Sequence, residues 1–357
     1  MAVSRIDEAG LNVNQYGNRN LVINGAMQVS QRATSEASLQ NFDKFPCVDR
    51  YKIQGNSSGT FTISQSTTSP DGFGNSLKID CTTADSSPNY LIIMQRMEGQ
   101  NLQQLKKGTS SAEKVTVSFY VRSSKTGTYQ FNLRDNGNSR LLGKTYTIDT
   151  ADTWERKILT FDGDTSGTLA NDNTDQLRLE WWLAAGSTYN SGSVPTAWEA
   201  LANGDRAAGL NVAIGASTSD DFYLTGVQLE VGDTATDFEH RTFADELQKC
   251  QRYTFVHETG VAYGWSALSG YCNTTSNALA FYQFPVKMRA APSLTVSGDF
   301  QILDGFTSYS VTNNSLGMGT VFNARVDVSA SGLTAGRHIA TRNNNDADAK
   351  VIFDAEL

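Results

Sequence analysis

Three histidines, His240, His257 and His338, stand far apart in the chain. None belongs to an HxH or HExxH spacing that would set two imidazoles on one metal ion. Four cysteines, Cys47, Cys81, Cys250 and Cys272, are spaced singly with no CxxC pair, so the sequence predicts reduced, mostly buried thiols rather than a zinc site or a disulfide framework. A GxSxG nucleophile elbow, a Walker loop and a strand-following GxGxxG are all missing. What remains are carboxylates. Asp162 with Asp164, or Asp220 with Asp221, would serve as the acid and base of a glycosidase only if a cleft held them, and both pairs sit in Gly/Ser/Thr-rich stretches where Asp normally closes turns. The loop Asp162-Gly-Asp164 is also the best local candidate for calcium, against a plain turn, which is favoured. No cofactor and no catalytic residue is implied, and the chain reads as a non-enzyme.

The elements that would carry any binding surface follow from composition and period. The chain has 357 residues, enough for a sandwich of about 200 residues and a smaller module. Hydrophobic residues make up 39%, while Gly, Ser, Thr and Asn are abundant, a mix that suits short strands joined by polar turns. A net charge of −8 without any Lys/Arg run argues against nucleic acid and anionic membranes as partners. No apolar stretch is long enough for membrane insertion and no leader is visible, so a protein made in a cytoplasm is expected.

Strict alternation puts Val115, Val117, Phe119 and Val121 on one strand face, and Tyr129, Phe131 and Leu133 on another. Each strand is expected to bury one side only. Trp154 to Phe161, Leu177 to Leu183 and Asp221 to Leu229 continue the series, separated by turn clusters such as Asp135 to Ser139. Leu21 to Gly25 reads as a short opening strand stopped by an Asn-Gly turn, and Leu91 to Lys107 as a strand with a helical turn after it. In Phe243 to Tyr253, residues 243, 247 and 250 share a helical face and Thr242 with Asp245 forms a capping signal. The predicted fold is all-β, an antiparallel sandwich. Its parts are an extended N-terminal docking arm at 1–20, a β-sandwich at 21–241, a linker helix at 242–253, and a small-side-chain β module at 254–357 suited to oligomerisation.

Three segments carry a resemblance. They are Asn20 to Arg32 with Val48-Asp-Arg-Tyr51; Phe222 to Gly232 continuing through Thr236 to Arg241 and Glu246 to Tyr253; and Phe284-Pro-Val-Lys-Met-Arg-Ala-Ala-Pro292, with Asp354-Ala-Glu-Leu357 at the close. These resemble a family of tail-fibre and other virion structural proteins of tailed bacteriophages, marine and cyanobacterial ones especially. Within that bracket the strand order is similar to jelly-roll carbohydrate-binding modules, although those often carry an Asp where this chain has Thr225 or Gly226. The resemblance implies a virion location and a jelly roll. It further implies a compact fibre, spike or adhesin-like subunit, with a capsid decoration protein as the alternative and a polysaccharide-degrading enzyme as the remote one. Expected partners are copies of itself as a homotrimer, other virion proteins through the arm, and a host surface glycan. By themselves, Arg50, Arg241 and Arg252 are guanidinium forks suited to carboxylates such as Glu239 or Glu246.

Alternation also predicts what faces away from the core. If Leu177, Leu179, Trp181 and Leu183 point inward, then Arg178, Glu180 and Trp182 point outward, as do Thr116, Ser118, Tyr120 and Arg122 on one strand and Gln130, Asn132 and Arg134 on another. Should these strands share a sheet, as in the jelly rolls they resemble, then Tyr120, Arg122, Asn132, Arg134, Arg178, Glu180 and Trp182 form one face with an exposed Trp. That face would either stack a sugar or pack on a neighbouring subunit, the interface being favoured.

Overall fold

A computed structural model describes residues 18–305 and 307–357, so the predicted docking arm lies almost wholly outside the described residues. Two compact units divide the chain. One takes the residues up to Gln28, Ser35–Pro46 and Tyr51–Arg241; the other takes Val29–Thr34, Cys47–Arg50 and Thr242–Leu357.

The first unit is an antiparallel β-sandwich of the predicted class. Its six-stranded sheet runs Ser35–Leu39, Thr60–Ser66, Ser76–Thr83, Asp221–Val231, Val115–Ser123, Glu155–Phe161. Its seven-stranded sheet runs Glu199–Ala200, Arg140–Ile148, Gly127–Asp135, Asp175–Ala185, Tyr90–Glu98, Tyr51–Asn56, Phe42–Lys44. Aromatics from the alternating inward positions meet between the sheets. Phe131 and Trp181 lie edge to face at 4.9 Å, Phe119 stacks on Phe131 at 5.8 Å, and Phe119 meets Tyr146 at 5.2 Å. Each such ring contributes about 1.5–3 kcal/mol by leaving water, and each pair about 0.5–1.5 more.

Two expectations change here. Strands do not bury one side only: Thr116 and Ser118 are as buried as their apolar neighbours. The cause is that connections fold back over the outer faces, as where the Thr116 hydroxyl donates to the Gly232 carbonyl at 2.9 Å. Leu21 to Gly25 is not a ladder strand. Asn20 takes over that work, donating through Nδ2 to the Val227 carbonyl at 3.0 Å and accepting at Oδ1 from the backbone N–H of Val22 and Leu229. Gln95 adds a second amide anchor, accepting from the Ile23 N–H at 3.2 Å and donating to the Ile23 carbonyl at 2.8 Å, and Asn24 at φ 59° turns the chain. Gly25 is required there, since a Cβ would stand 2.2 Å from the Val227 carbonyl oxygen.

In the second unit the helix Phe243–Gln251 forms as predicted, with the Thr242 hydroxyl accepting from the Asp245 N–H at 3.2 Å. After it come three small antiparallel sheets, of three, four and four strands. Their core is rich in small residues, Ala278, Ala280, Ala324 and Ala349 among them, anchored by Phe300, Ile302 and Phe353. Among the described residues no helix is long and apolar enough to cross a membrane.

Candidate functional site

The strand Asp175–Ala185 pairs with Tyr90–Glu98 on one side and Gly127–Asp135 on the other. Register sets Trp182 opposite Ile92 and Gln130, Glu180 opposite Met94 and Asn132, and Arg178 opposite Arg96 and Arg134. The predicted alternation holds, so Asn132, Arg134, Arg178, Glu180 and Trp182 share the outer face of the seven-stranded sheet. Tyr120 and Arg122 do not join them. Their strand, Val115–Ser123, belongs to the six-stranded sheet, because a sandwich sends the outward residues of its two sheets in opposite directions. Tyr120 packs there on Phe73 at 5.4 Å, and Arg122 lies over the Tyr223 ring at 4.8 Å while pairing with Asp152 at 2.9 Å.

The exposed Trp is the second correction. Trp182 is fully buried, as are Asn132 and Glu180, because the connection 186–214 lies across this part of the sheet as a strap. Asn132 donates to the Arg206 carbonyl at 2.7 Å, and Gln130 donates to the Asp205 carbonyl at 2.9 Å while accepting from the Gly209 N–H at 2.7 Å. Trp182 packs with Ile92, Met94 and Ala207 in a small apolar cluster, with Tyr189 at its edge 5.2 Å away. The Arg206 guanidinium lies over the Trp182 ring at 4.7 Å and reaches both Glu180 oxygens at 3.1 and 3.2 Å. Trp182 Nε1 donates to Glu180 as well, at 3.2 Å. Burial acts to raise the Glu180 carboxyl, but the charges of Arg206 and Arg134 outweigh it and hold the group below the usual carboxylate range.

Beyond the strap's edge the same face carries Arg96, Arg178 and Arg134 side by side on three adjacent strands, each with 13–18% of its side chain exposed. Asp175 accepts from Arg178 through Nε at 2.7 Å and Nη2 at 2.6 Å and lies 3.7 Å from Arg96. Arg134 touches Glu180 at 3.4 Å. Sequence reasoning named Arg134 and Arg178 but missed Arg96, Tyr189 and Arg206. Arg96 was obscured by the mixed strand and helix pattern after Leu91. The connection between Ala185 and Asp221 was itself a signal, since so long an irregular segment in a compact domain is usually functional.

The acidic candidates serve structure. Asp164 is buried and accepts from Arg140 at 2.7 Å and from Lys107 at 2.8 Å, while Lys107 also bonds Asp135. Burial acts to raise Asp164, but the hydrogen bonds from Arg140 and Lys107 prevail and bring it down to about 2. Asp162 is exposed and pairs with Lys114 at 3.1 Å. Asp220 accepts from Lys125 at 2.9 Å and from the N–H of Gly215 and Ser217, closing the turn before the last strand. Asp221 accepts the Ser124 N–H. Among the described residues no cluster of three or more His, Cys, Asp or Glu is arranged to hold a metal ion.

The residues that carried the resemblance are likewise structural. In the sandwich, Arg241 pairs with Glu239 at 2.9 Å and bonds the carbonyls of Asn20 and Val22. In the second unit, Gln31 donates to Asp49 at 2.6 Å, Arg32 pairs with Asp354 at 2.9 Å, and Arg50 pairs with Glu356 while stacking on Tyr253 at 3.4 Å. Widely separated motif pieces thus close one buried polar cluster. Burial pushes the Asp49 carboxyl up to about 6 against the pull of Arg32 and the Gln31 hydrogen bonds.

No protein-family model and no curated protein matches the chain. Solved structures match at low identity and low TM-score. The enzymatically active domain of tailspike protein 4 of bacteriophage CBA120 is 10% identical with a TM-score of 0.31, over 60% of this chain and 21% of that one, so the chain spans about a fifth of its length. A family 11 carbohydrate-binding module from Clostridium thermocellum, in complex with a β-1,3-1,4-mixed-linked tetrasaccharide, is 13% identical with a TM-score of 0.28, over 58% of this chain and 99% of that one. The tandem CBM22 domain of Paenibacillus barcinonensis Xyn10C is 9% identical with a TM-score of 0.27, over 92% and 99% of the two chains. No site residue is carried over from any of them.

Proposed function

We propose that the chain is a surface subunit of a tailed-phage particle of the tail-fibre kind, in which the second unit assembles copies of the chain, as a homotrimer, and the sandwich presents a glycan-binding face to the host. The observation that carries this reading is where apolar surface is left open. Among the described residues, every large exposed hydrophobic side chain except Ile158 belongs to the second unit. Part of that surface is one sheet face. Phe281 and Met318 flank Arg325 on neighbouring strands, 44% and 60% exposed, and Tyr271 stacks on Phe281 at 6.4 Å. Arg325 is neutralised by Asp327 at 2.8 Å, so the face carries no net charge and two copies of a −8 chain could meet there without repulsion. A second copy is therefore the occupant that the surface fits. The tail-fibre assignment rests on the motif segments between Asn20 and Pro292.

Light scattering on the purified full chain is expected to give the mass of three copies. Phe281→Ser combined with Met318→Ser, both exposed, is expected to give monomers that keep the parent's far-ultraviolet circular dichroism. A parent protein that is monomeric at micromolar concentration overturns the assembly reading. Gold-labelled antibody on intact particles then tests location: label at the tail supports the fibre reading, and label over the head replaces it with capsid decoration.

A further inference from the structure

An exposed Trp among planar polar groups, expected on the sandwich, stands in the second unit instead. One of its four-stranded sheets runs Trp265–Ala267, Ile339–Asn343, Phe300–Asp304, Thr307–Ser310. Register sets Trp265 opposite Arg342, and Arg342 opposite Gln301, so these three side chains share one face. It is the outer face, because the alternate residues Thr341, Asn343, Phe300 and Ile302 are buried. Trp265 is 48% exposed, and the ladder bulges directly after it, an irregularity of the kind that re-aims a side chain beside a site. Tyr263, 46% exposed, sets its ring 4.9 Å from the Arg342 guanidinium. A buried amide holds this segment out in water. The Asn343 side chain accepts the Tyr263 N–H and donates to the Thr259 hydroxyl and the Val261 carbonyl, while its backbone N–H bonds the Gly264 carbonyl at 3.0 Å. That clamp keeps Tyr263 at φ 58°, a left-handed conformation uncommon for a bulky residue, and strain of this kind gathers at ligand sites.

The polar groups on this face are donors in want of acceptors. Arg342 donates through Nε and Nη2 to Gln301 Oε1 at 3.3 and 3.2 Å, and through Nη2 to the Ser308 hydroxyl at 3.2 Å. No carboxylate pairs with Arg342 among the described residues, and neither its Nη1 nor the Gln301 amide nitrogen makes a bond there. The other charged residue on these four strands, Asp304, is fully buried and taken by Arg337 and the Thr334 N–H. A second copy fits such a face poorly, since it would bury an unpaired guanidinium, whereas Asp327 neutralises Arg325 on the sheet face that carries Phe281. We propose that this face binds a saccharide carrying a carboxylate, with a sugar ring laid on Trp265 and the carboxylate accepting from Arg342 and Gln301. Opposite residues on paired strands stand about 5 Å apart, so one sugar unit reaches both the indole and the guanidinium. The indole supplies apolar area, and the guanidinium supplies a planar fork that matches a carboxylate. The clamped segment adds preorganisation, so little freedom is lost on binding. The site lies outside the sandwich and shares no residue with the glycan-binding face proposed there.

Titration calorimetry on the full chain tests it with two hexasaccharides of equal length, the acidic oligogalacturonate and the neutral cellohexaose. The acidic sugar is expected to bind about tenfold tighter or more, as a charge-assisted bond would give, and to weaken as salt is raised. Trp265→Ala and Arg342→Gln are each expected to cost about tenfold in affinity for it, through loss of the stacking area and of the charged bond respectively. Both variants should keep the parent's circular dichroism and oligomer mass, and either one serves if the other folds poorly. Equal binding of the two sugars, untouched by Arg342→Gln, overturns the proposal. Acidic-sugar binding that neither variant weakens places the site elsewhere; it overturns this inference and leaves the sandwich reading standing. Binding of neither sugar overturns both. Dissociation of the oligomer by Trp265→Ala makes the face a contact between copies, and that result also overturns the proposal.

Discussion

Trp182→Ala tests whether the strap is held to the sheet by this one ring. The side chain is fully buried among Ile92, Met94 and Ala207, its Nε1 bonds Glu180 at 3.2 Å, and Arg206 covers its face at 4.7 Å. Truncating a buried Trp to Ala costs about 3–5 kcal/mol in lost transfer and cavity terms. For a unit of this size that lowers the unfolding midpoint by on the order of 10 °C. Trp182→Phe keeps the apolar contact and loses mainly the hydrogen bond, so about 1–2 kcal/mol is expected. Urea unfolding followed by far-ultraviolet circular dichroism reads the stability without depending on Trp fluorescence. Trypsin reads the strap directly, because Arg206 is a cleavage site now 8% exposed, and cleavage after it should accelerate in the Ala variant before global unfolding. A loss below about 1 kcal/mol, the range of ordinary surface substitutions, with unchanged cleavage at Arg206 would refute the packing argument.

Two further outcomes follow from carboxylates held away from their usual range. Asp164, brought down to about 2, stabilises the sandwich by about 2 kcal/mol at neutral pH; that contribution is fully present above about pH 4 and lost as pH falls towards 2. Asp164→Asn should remove that acid sensitivity in a pH series of urea midpoints, and an unchanged acid limb would contradict the ion cluster. Asp49 behaves in the opposite sense: with its folded value up at about 6, ionisation opposes the fold, so stability falls by up to about 3 kcal/mol as pH rises from 4 to 6. Asp49→Asn should flatten that interval, and an unchanged slope would show that the buried carboxyl is not the titrating group.

Period and punctuation determined much of this protein from the sequence alone. Alternation in 115–121, 129–133 and 177–183 gave the inward residues correctly, because a strand's two faces are set by the backbone pleat and need no partner to define them. The helix after Thr242 was legible for the same local reason, its cap and its spacing both lying within one short stretch. The absence of familiar nucleophile and phosphate motifs was equally a matter of reading neighbours in sequence. What alternation could not tell was which strands lie side by side and what lies on top of them. Tyr120 and Trp182 both face outward, yet they stand on different sheets, since sheet membership is decided by pairings between residues far apart in the chain. Outward was not exposed, because the strap brings Tyr189, Arg206 and Ala207 onto Trp182 from a segment with no period of its own. The arginine row existed only once Tyr90–Glu98, Asp175–Ala185 and Gly127–Asp135 had paired in one register: residues 96, 134 and 178 carry no mutual signal in the sequence, and a shift of one residue in either ladder would have sent one of them into the core.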